Sequence, residues 1–160
     1  MGTRRGGLSA KGKNIAIVVA TFNEFITRRL LESALIVLEQ AALKREKVEV
    51  VWVPGALEVP FFCKKLASRK GIDAVIALAC VLRGETYHFE CVSEEVTRGI
   101  SQVSLETGMP IATGIITADT LEQAIDRAGL KAGNKGGQAA LAAIEIANLN
   151  DQLAKSTKSI

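Results

Sequence analysis

Arg83-Gly84-Glu85-Thr86-Tyr87-His88-Phe89-Glu90 packs a guanidinium, a glycine, a hydroxyl, two carboxylates and the chain's one histidine into a single turn. If a helix starts there, its backbone N–H groups and the Thr86 hydroxyl bind an anion without any special side chain. Ordinary helix capping needs the same residues. A neutral imidazole at His88 moves protons near pH 7, and Glu85 and Glu90 stand close enough in sequence to orient its ring. A lone histidine is nonetheless more often structural than catalytic, so position alone leaves both roles open for His88.

Two other stretches carry chemistry. Arg127, Lys131 and Lys135 recur four apart through a segment containing Gly129, Gly133, Gly136 and Gly137. The glycines break any single helical face and let backbone approach a ligand closely. Three cations there suit a phosphate, or a solvated basic loop. Pro54-Gly55-Ala56-Leu57-Glu58 offers backbone amides and a carboxylate, and Phe22 offers an aromatic face or core packing. Together these describe a site for a flat polar ring joined to a phosphorylated partner.

Short apolar runs must position them. Residues 14–20, 48–53, 74–82 and 110–116 read as strands, the third opened by Gly71 and buried on both faces. Helical periodicity marks 24–43, 57–69 with Pro60 in its first turn, 88–107, a segment capped at Asp119 or Thr120, and 135–153. Strands alternating with helices imply βαβ crossovers. The expected fold is α/β: three-layer α/β/α, a flavodoxin-like four-stranded parallel sheet with helices on both faces. Phe22, Pro54-Gly55-Ala56-Leu57-Glu58 and the Gly84-Glu85-Thr86 turn then fall at the ends of the first three strands, where open parallel sheets bind ligands. The last helix is apolar around more than half its circumference, and this excess suggests subunit contact.

The 160 residues suit one domain, with residues 1–13 as an N-terminal arm that either docks or simply frays. A net charge of +3 and 4% aromatics argue against a nucleic-acid surface. Three cysteines without a C-x-x-C pair, beside one histidine, argue against zinc and against a disulfide framework. Free thiols suit a reducing cytoplasm. No run is long and apolar enough to span a membrane, and the basic N-terminus lacks the apolar centre of a secretory signal.

The segments FNEFITRRLLESA, VWVPGALEVP, DAVIALACVLRGETYHFE and DRAGLKAGNKGGQAALAAIEIANL, in that order, resemble the lumazine synthases over residues 14–149. That resemblance implies condensation of 5-amino-6-ribitylaminouracil with 3,4-dihydroxy-2-butanone 4-phosphate, without metal or organic cofactor. It assigns ring stacking to Phe22, the ribityl chain to Ala56, Leu57 and Glu58, and the pyrimidine edge to Cys80, Val81 and Leu82. It assigns the phosphate to Glu85, Thr86 and Arg127, with Lys131 and Lys135 nearby, and the proton shuttle to His88. It further implies pentamers with sites at subunit boundaries, a neighbour supplying Phe22 or the Thr113 side. The KAGNKG loop resembles members that build a shell of twelve pentamers. Thr113 replaces the usual aromatic residue, Cys80 a threonine and Thr21 an arginine, while Glu85 adds a negative charge. The rival readings are a flavodoxin-like electron carrier, disfavoured because residues 21–25 lack glycine, and a shell protein without activity, disfavoured by the intact His88 and Arg127.

Overall fold

The Ile- and Val-rich runs pair as one parallel sheet in the spatial order β2 (Val48–Val53), β1 (Ile15–Ala20), β3 (Ala74–Leu82), β4 (Ile111–Ala118). The computed structural model describes residues 2–131 and 133–157. β1 (Ile15–Ala20) and β3 (Ala74–Leu82) are central and almost wholly buried, which is why neither alternates polar and apolar residues. The edges, β2 (Val48–Val53) and β4 (Ile111–Ala118), are partly exposed. Ile15 lies opposite both Val48 and Ala74, and Val75 opposite Ile111.

Successive side chains enter opposite layers. On one face Ile15, Ile17, Val19, Ile76 and Leu78 pack with Leu30 and Leu38 of α1 (Glu24–Gln40), Ala124 of α4 (Leu121–Arg127) and Ile144 of α5 (Lys135–Thr157). On the other, Ala16, Val18, Ala77 and Ala79 pack with Val59 and Cys63 of α2 (Val59–Ala67) and Val96 and Ile100 of α3 (His88–Thr107). Each fully buried Ile or Leu contributes roughly 1.5–3 kcal/mol, so the sheet's two inner layers dominate stability. The three-layer architecture is the one expected.

Several boundaries differ from the sequence reading, each for a local reason. α1 stops at Gln40 because Ala42 turns left-handed (φ 67). The Ala42 N–H then donates to Glu39 O and the Leu43 N–H to Leu38 O, both at 3.0 Å, while Leu43 is buried. This is the Schellman closure, built on alanine where glycine is usual. Ala56–Glu58 forms a separate 3-10 turn, and α2 begins only at Val59 with Pro60 in its first turn. Gly71 (φ 90) sits in the turn before β3, not in the strand. β4 runs to Ala118, and α4 is capped by Thr120, whose hydroxyl accepts the Gln123 N–H at 3.2 Å.

One expectation about the last helix is corrected. Gly136 and Gly137 serve helix packing, not ligand approach: a Cβ on Gly136 would land on the Leu30 carbonyl, and one on Gly137 would lie 2.6 Å from Ser33 Oγ. Much of the wide apolar surface of α5 is covered within the chain, by α1, β3 and β4 and by the N-terminal arm. Asn148 Nδ2 donates to Gly7 O (2.7 Å) and Ser9 O (2.9 Å), Gln152 Nε2 donates to Arg5 O (3.0 Å), and Lys13 pairs with Asp151. With Arg4 also donating to Gln152 O at 3.2 Å, the arm is docked from Arg4 onward, on its own chain. Leu141 and Leu153 remain exposed.

Ala42→Gly removes the left-handed penalty and should raise unfolding free energy by about 1 kcal/mol. Gly136→Ala should lower it by more than the ~1–3 kcal/mol of ordinary overpacking, because the obstacle is backbone. Urea unfolding checks both; a destabilised Ala42→Gly or a neutral Gly136→Ala contradicts the packing described.

Candidate active site

Strand order reverses at β1, which leads to β2 on one side and neighbours β3 on the other, so the crevice beyond these carboxyl ends is the expected ligand position. A cleft of about 380 Å³ lies there, lined by Phe22 after β1, Gly55 to Glu58 after β2, and Cys80, Val81 and Leu82 at the end of β3. Gly84, Thr86, His88, Phe89 and Val92 complete it. A second groove of about 280 Å³, between α1 and β2, is lined by residues such as Leu35, Ile36 and Leu43 and lies away from the strand ends.

The strand ends are cross-tied. Thr21 N–H donates to Val53 O at 2.7 Å and Phe22 N–H to Pro54 O at 3.0 Å, continuing the β1–β2 pairing past the strands. Asn23 adopts a left-handed conformation (φ 60), which asparagine tolerates, and its Nδ2 donates to Cys80 O at 2.9 Å. The chain is thereby reversed into α1 with the Phe22 ring left 72% exposed at the cleft. A large apolar ring so exposed is not a core residue. Phe22 thus shares one wall with His88 of the same chain, so the notion of a neighbour supplying it is corrected.

Glu58 is half-buried, and its Oε2 lies 3.0 Å from where a Gly55 Cβ would stand. Glycine at 55 therefore keeps room for the carboxylate. Cys80 is buried, and burial pushes its thiol up to about 12; Cys63 is pushed up to about 12 for the same reason. The Cys80 side chain is thus a neutral S–H on the cleft wall.

The Gly84–Thr86 turn precedes α3 and is exposed, as is His88 at the first position of that helix. Glu90 does not orient the His88 ring. It pairs with Arg83, which also bonds Asp119 (Nε to Oδ1, 2.6 Å) and stacks over the Phe89 ring at 4.3 Å. The Arg83 guanidinium holds the Glu90 carboxyl below the usual carboxylate range. Among the described residues, no hydrogen bond reaches the His88 ring.

The remaining expected residues stand elsewhere. Glu85, Thr113, Arg127, Lys131 and Lys135 do not line the cleft. Thr113 is exposed on the side of β4 away from α5, Arg127 ends α4, Lys131 is exposed in the following loop and Lys135 begins α5. Among the described residues none of the three cations forms an ion pair. Asn134, unnoticed in the sequence, organises this second group: its Nδ2 donates to Ala128 O (2.8 Å) and Arg29 O (3.2 Å), and its Oδ1 accepts from Gly136 N–H (2.8 Å). Phe89 and Val92 are further wall residues that the sequence did not single out. Only the i, i+4 step from His88 to Val92 hinted at them.

In the folded protein at pH 8, Ellman's reagent should label at most one thiol per chain, the exposed Cys91, because Cys63 and Cys80 are buried and titrate only near 12. Rapid labelling of two or more without denaturant would contradict the buried, protonated thiols.

Among the described residues no helix is long and apolar enough to cross a membrane, and no group of three or more metal-binding side chains lies together. A relative from Kosmotoga olearia, named 6,7-dimethyl-8-ribityllumazine synthase, is 49% identical over 148 residues, covering 92% of this chain and 95% of its own. The family model described as 6,7-dimethyl-8-ribityllumazine synthase matches residues 12–151, which include every wall of the cleft and the cationic segment. The chain therefore belongs to the 6,7-dimethyl-8-ribityllumazine synthase family.

Proposed function

We propose that this chain is the transferase of its family, condensing 5-amino-6-ribitylaminouracil with 3,4-dihydroxy-2-butanone 4-phosphate in the penultimate step of riboflavin biosynthesis. The observation that carries this reading is the convergence of Phe22, Glu58, Cys80, Thr86 and His88 on one cleft at the strand ends. The uracil ring stacks on Phe22 with its edge along Cys80, Val81 and Leu82. The ribityl hydroxyls meet Glu58 and the backbone of Ala56 and Leu57. The amine attacks the ketone and an imine forms with loss of one water, phosphate is eliminated, and the ring closes with loss of a second water. His88 moves protons during these steps. Holding amine against carbonyl supplies much of the acceleration, because two small reactants are made one.

The phosphate lies at the exposed Gly84-Glu85-Thr86 turn, because N–H groups ahead of a helix suit an anion. Its strong cation is Arg127, with Lys131 and Lys135 near it and Thr113 facing the ring, all supplied by an adjacent copy. Two features support a shared site: these residues do not line the chain's own cleft, and β4 leaves Thr113 and Thr117 exposed on one face. The proposed assembly is a pentamer, and twelve pentamers form a 60-subunit shell. Cytoplasmic location follows as part of the same proposal.

Mixing both substrates with the protein should generate the fluorescent lumazine; no product with authentic substrates would refute the reading. His88→Ala should slow turnover by ~10²-fold or more without abolishing it, as acid–base assistance is typically worth ~10²–10⁴-fold. Unchanged kcat would remove His88 from the chemistry. Arg127→Ala should raise the KM for the phosphorylated substrate and lower kcat, since a fixed charge also stabilises departing phosphate. Normal affinity for that substrate would contradict the assignment.

A further inference from the structure

We propose that Arg83 is a positioning residue for the anion turn: its guanidinium clamps the first turn of α3 to the end of β4 and so sets the Gly84–Thr86 backbone for a phosphate monoester. The proposal rests on the reading of that turn as the phosphate site. Arg83 immediately follows β3, and its N–H donates to Ala118 O at 2.9 Å, so the sheet fixes its backbone. Its side chain then reaches three groups from three directions: Asp119 Oδ1 beyond β4 at 2.6 Å, Glu90 on α3, and the Phe89 ring at 4.3 Å.

Between Arg83 and His88 the chain is held only from its ends. Residues 84–87 are exposed, and among the described residues no side-chain hydrogen bond involves them. The sheet secures the first end, and the Arg83 contacts with Phe89 and Glu90 secure the second. A planar fork can bond two carboxylates while stacking on a ring; an ammonium cannot do all three.

The clamp has a second consequence, in charge. Glu85, Glu90 and Asp119 place three carboxylates around a turn that is to take an anion, and Arg83 pairs directly with Glu90 and Asp119. The other Glu90 oxygen, Oε2, is buried without a partner among the described residues, so no second donor stands ready to replace Arg83. Without the guanidinium the turn would present uncompensated negative charge to the phosphate.

Steady-state kinetics of full-length Arg83→Gln and Arg83→Lys, each substrate varied in turn, with inorganic phosphate as inhibitor, tests this. Arg83→Gln should raise both the KM for the butanone phosphate and the Ki of phosphate on the order of tenfold, less than the ~10²-fold that a full 1 Å misplacement can cost. The KM for ribitylaminouracil should stay within about twofold, because uniform binding of that partner is untouched. Arg83→Lys, with charge but no fork, should fall between. A merely structural residue would move both KM values and the thermal midpoint together, and that pattern, or an unchanged phosphate Ki, overturns the clamp. If Arg83→Gln does not fold, Arg83→Lys decides alone: wild-type phosphate Ki overturns the proposal. Calorimetric titration with inorganic phosphate reads the clamp independently of turnover, so a wild-type protein that makes no lumazine refutes the functional reading without touching this one.

Discussion

Three hydrogen bonds running sideways across the carboxyl ends of the sheet hold the site together. Thr21 and Phe22 N–H reach β2's last carbonyl and the next, and the Asn23 side chain reaches the Cys80 carbonyl of β3. Each contributes only about 0.5–1.5 kcal/mol net. Their structural effect is larger than their energy. They fix the separation of three strand ends at the point where the topology opens a crevice, and every wall residue hangs from one of those ends. The backbone that carries the exposed Phe22 ring is held by bonds on either side of it, so the residue's place at the cleft does not depend on core packing.

The electrostatic division of the molecule follows from the same geometry. The cleft side carries Glu58, Glu85 and Glu90, with Arg83 already engaged by carboxylates. Arg127, Lys131 and Lys135, which form no ion pair among the described residues, lie where α4 ends and α5 begins, on either side of Asn134 in the chain. Gly136 and Gly137 press the start of α5 onto α1, so the cationic group is fixed to the opposite layer of the sheet from α3. A phosphate bound at the α3 turn of an isolated chain would meet amides and carboxylates but no free guanidinium. We propose that assembly resolves this, by bringing one copy's cations to another copy's turn.

Much of this was legible in the residues. The continuous apolar runs of β1 and β3, the Pro54-Gly55 break and the capping residues before α4 all encode local preferences that the fold keeps. The exceptions are positions where tertiary contact overrode a local signal. Gly136 and Gly137 read as a ligand loop, because glycine's lack of a side chain is the same whether the neighbour is a phosphate or another helix. The breadth of α5's apolar face reads as subunit contact; part of it meets the chain's own arm, which periodicity cannot tell from another chain, and Leu141 and Leu153 stay exposed. Ala42 ended α1 without the glycine that marks such turns. Closeness in sequence makes Glu90 read as a partner for His88, whereas α3 turns Glu90 toward Arg83. Asn134 and Asn23 escaped notice because their work consists of bonds to carbonyls up to 105 residues away, which spacing along the chain does not record.

The central claim is that one copy's cleft is completed by another copy's cations, and complementation tests it most directly. His88→Ala and Arg127→Ala chains, each impaired alone, should regain activity when co-expressed at equal levels and assembled together. Random mixing around a ring leaves about a quarter of the interfaces with both native residues, so activity should approach about a quarter of wild type. Mixed assemblies no more active than the average of the two variants would contradict a shared site and place Arg127 and His88 in the same chain's reaction.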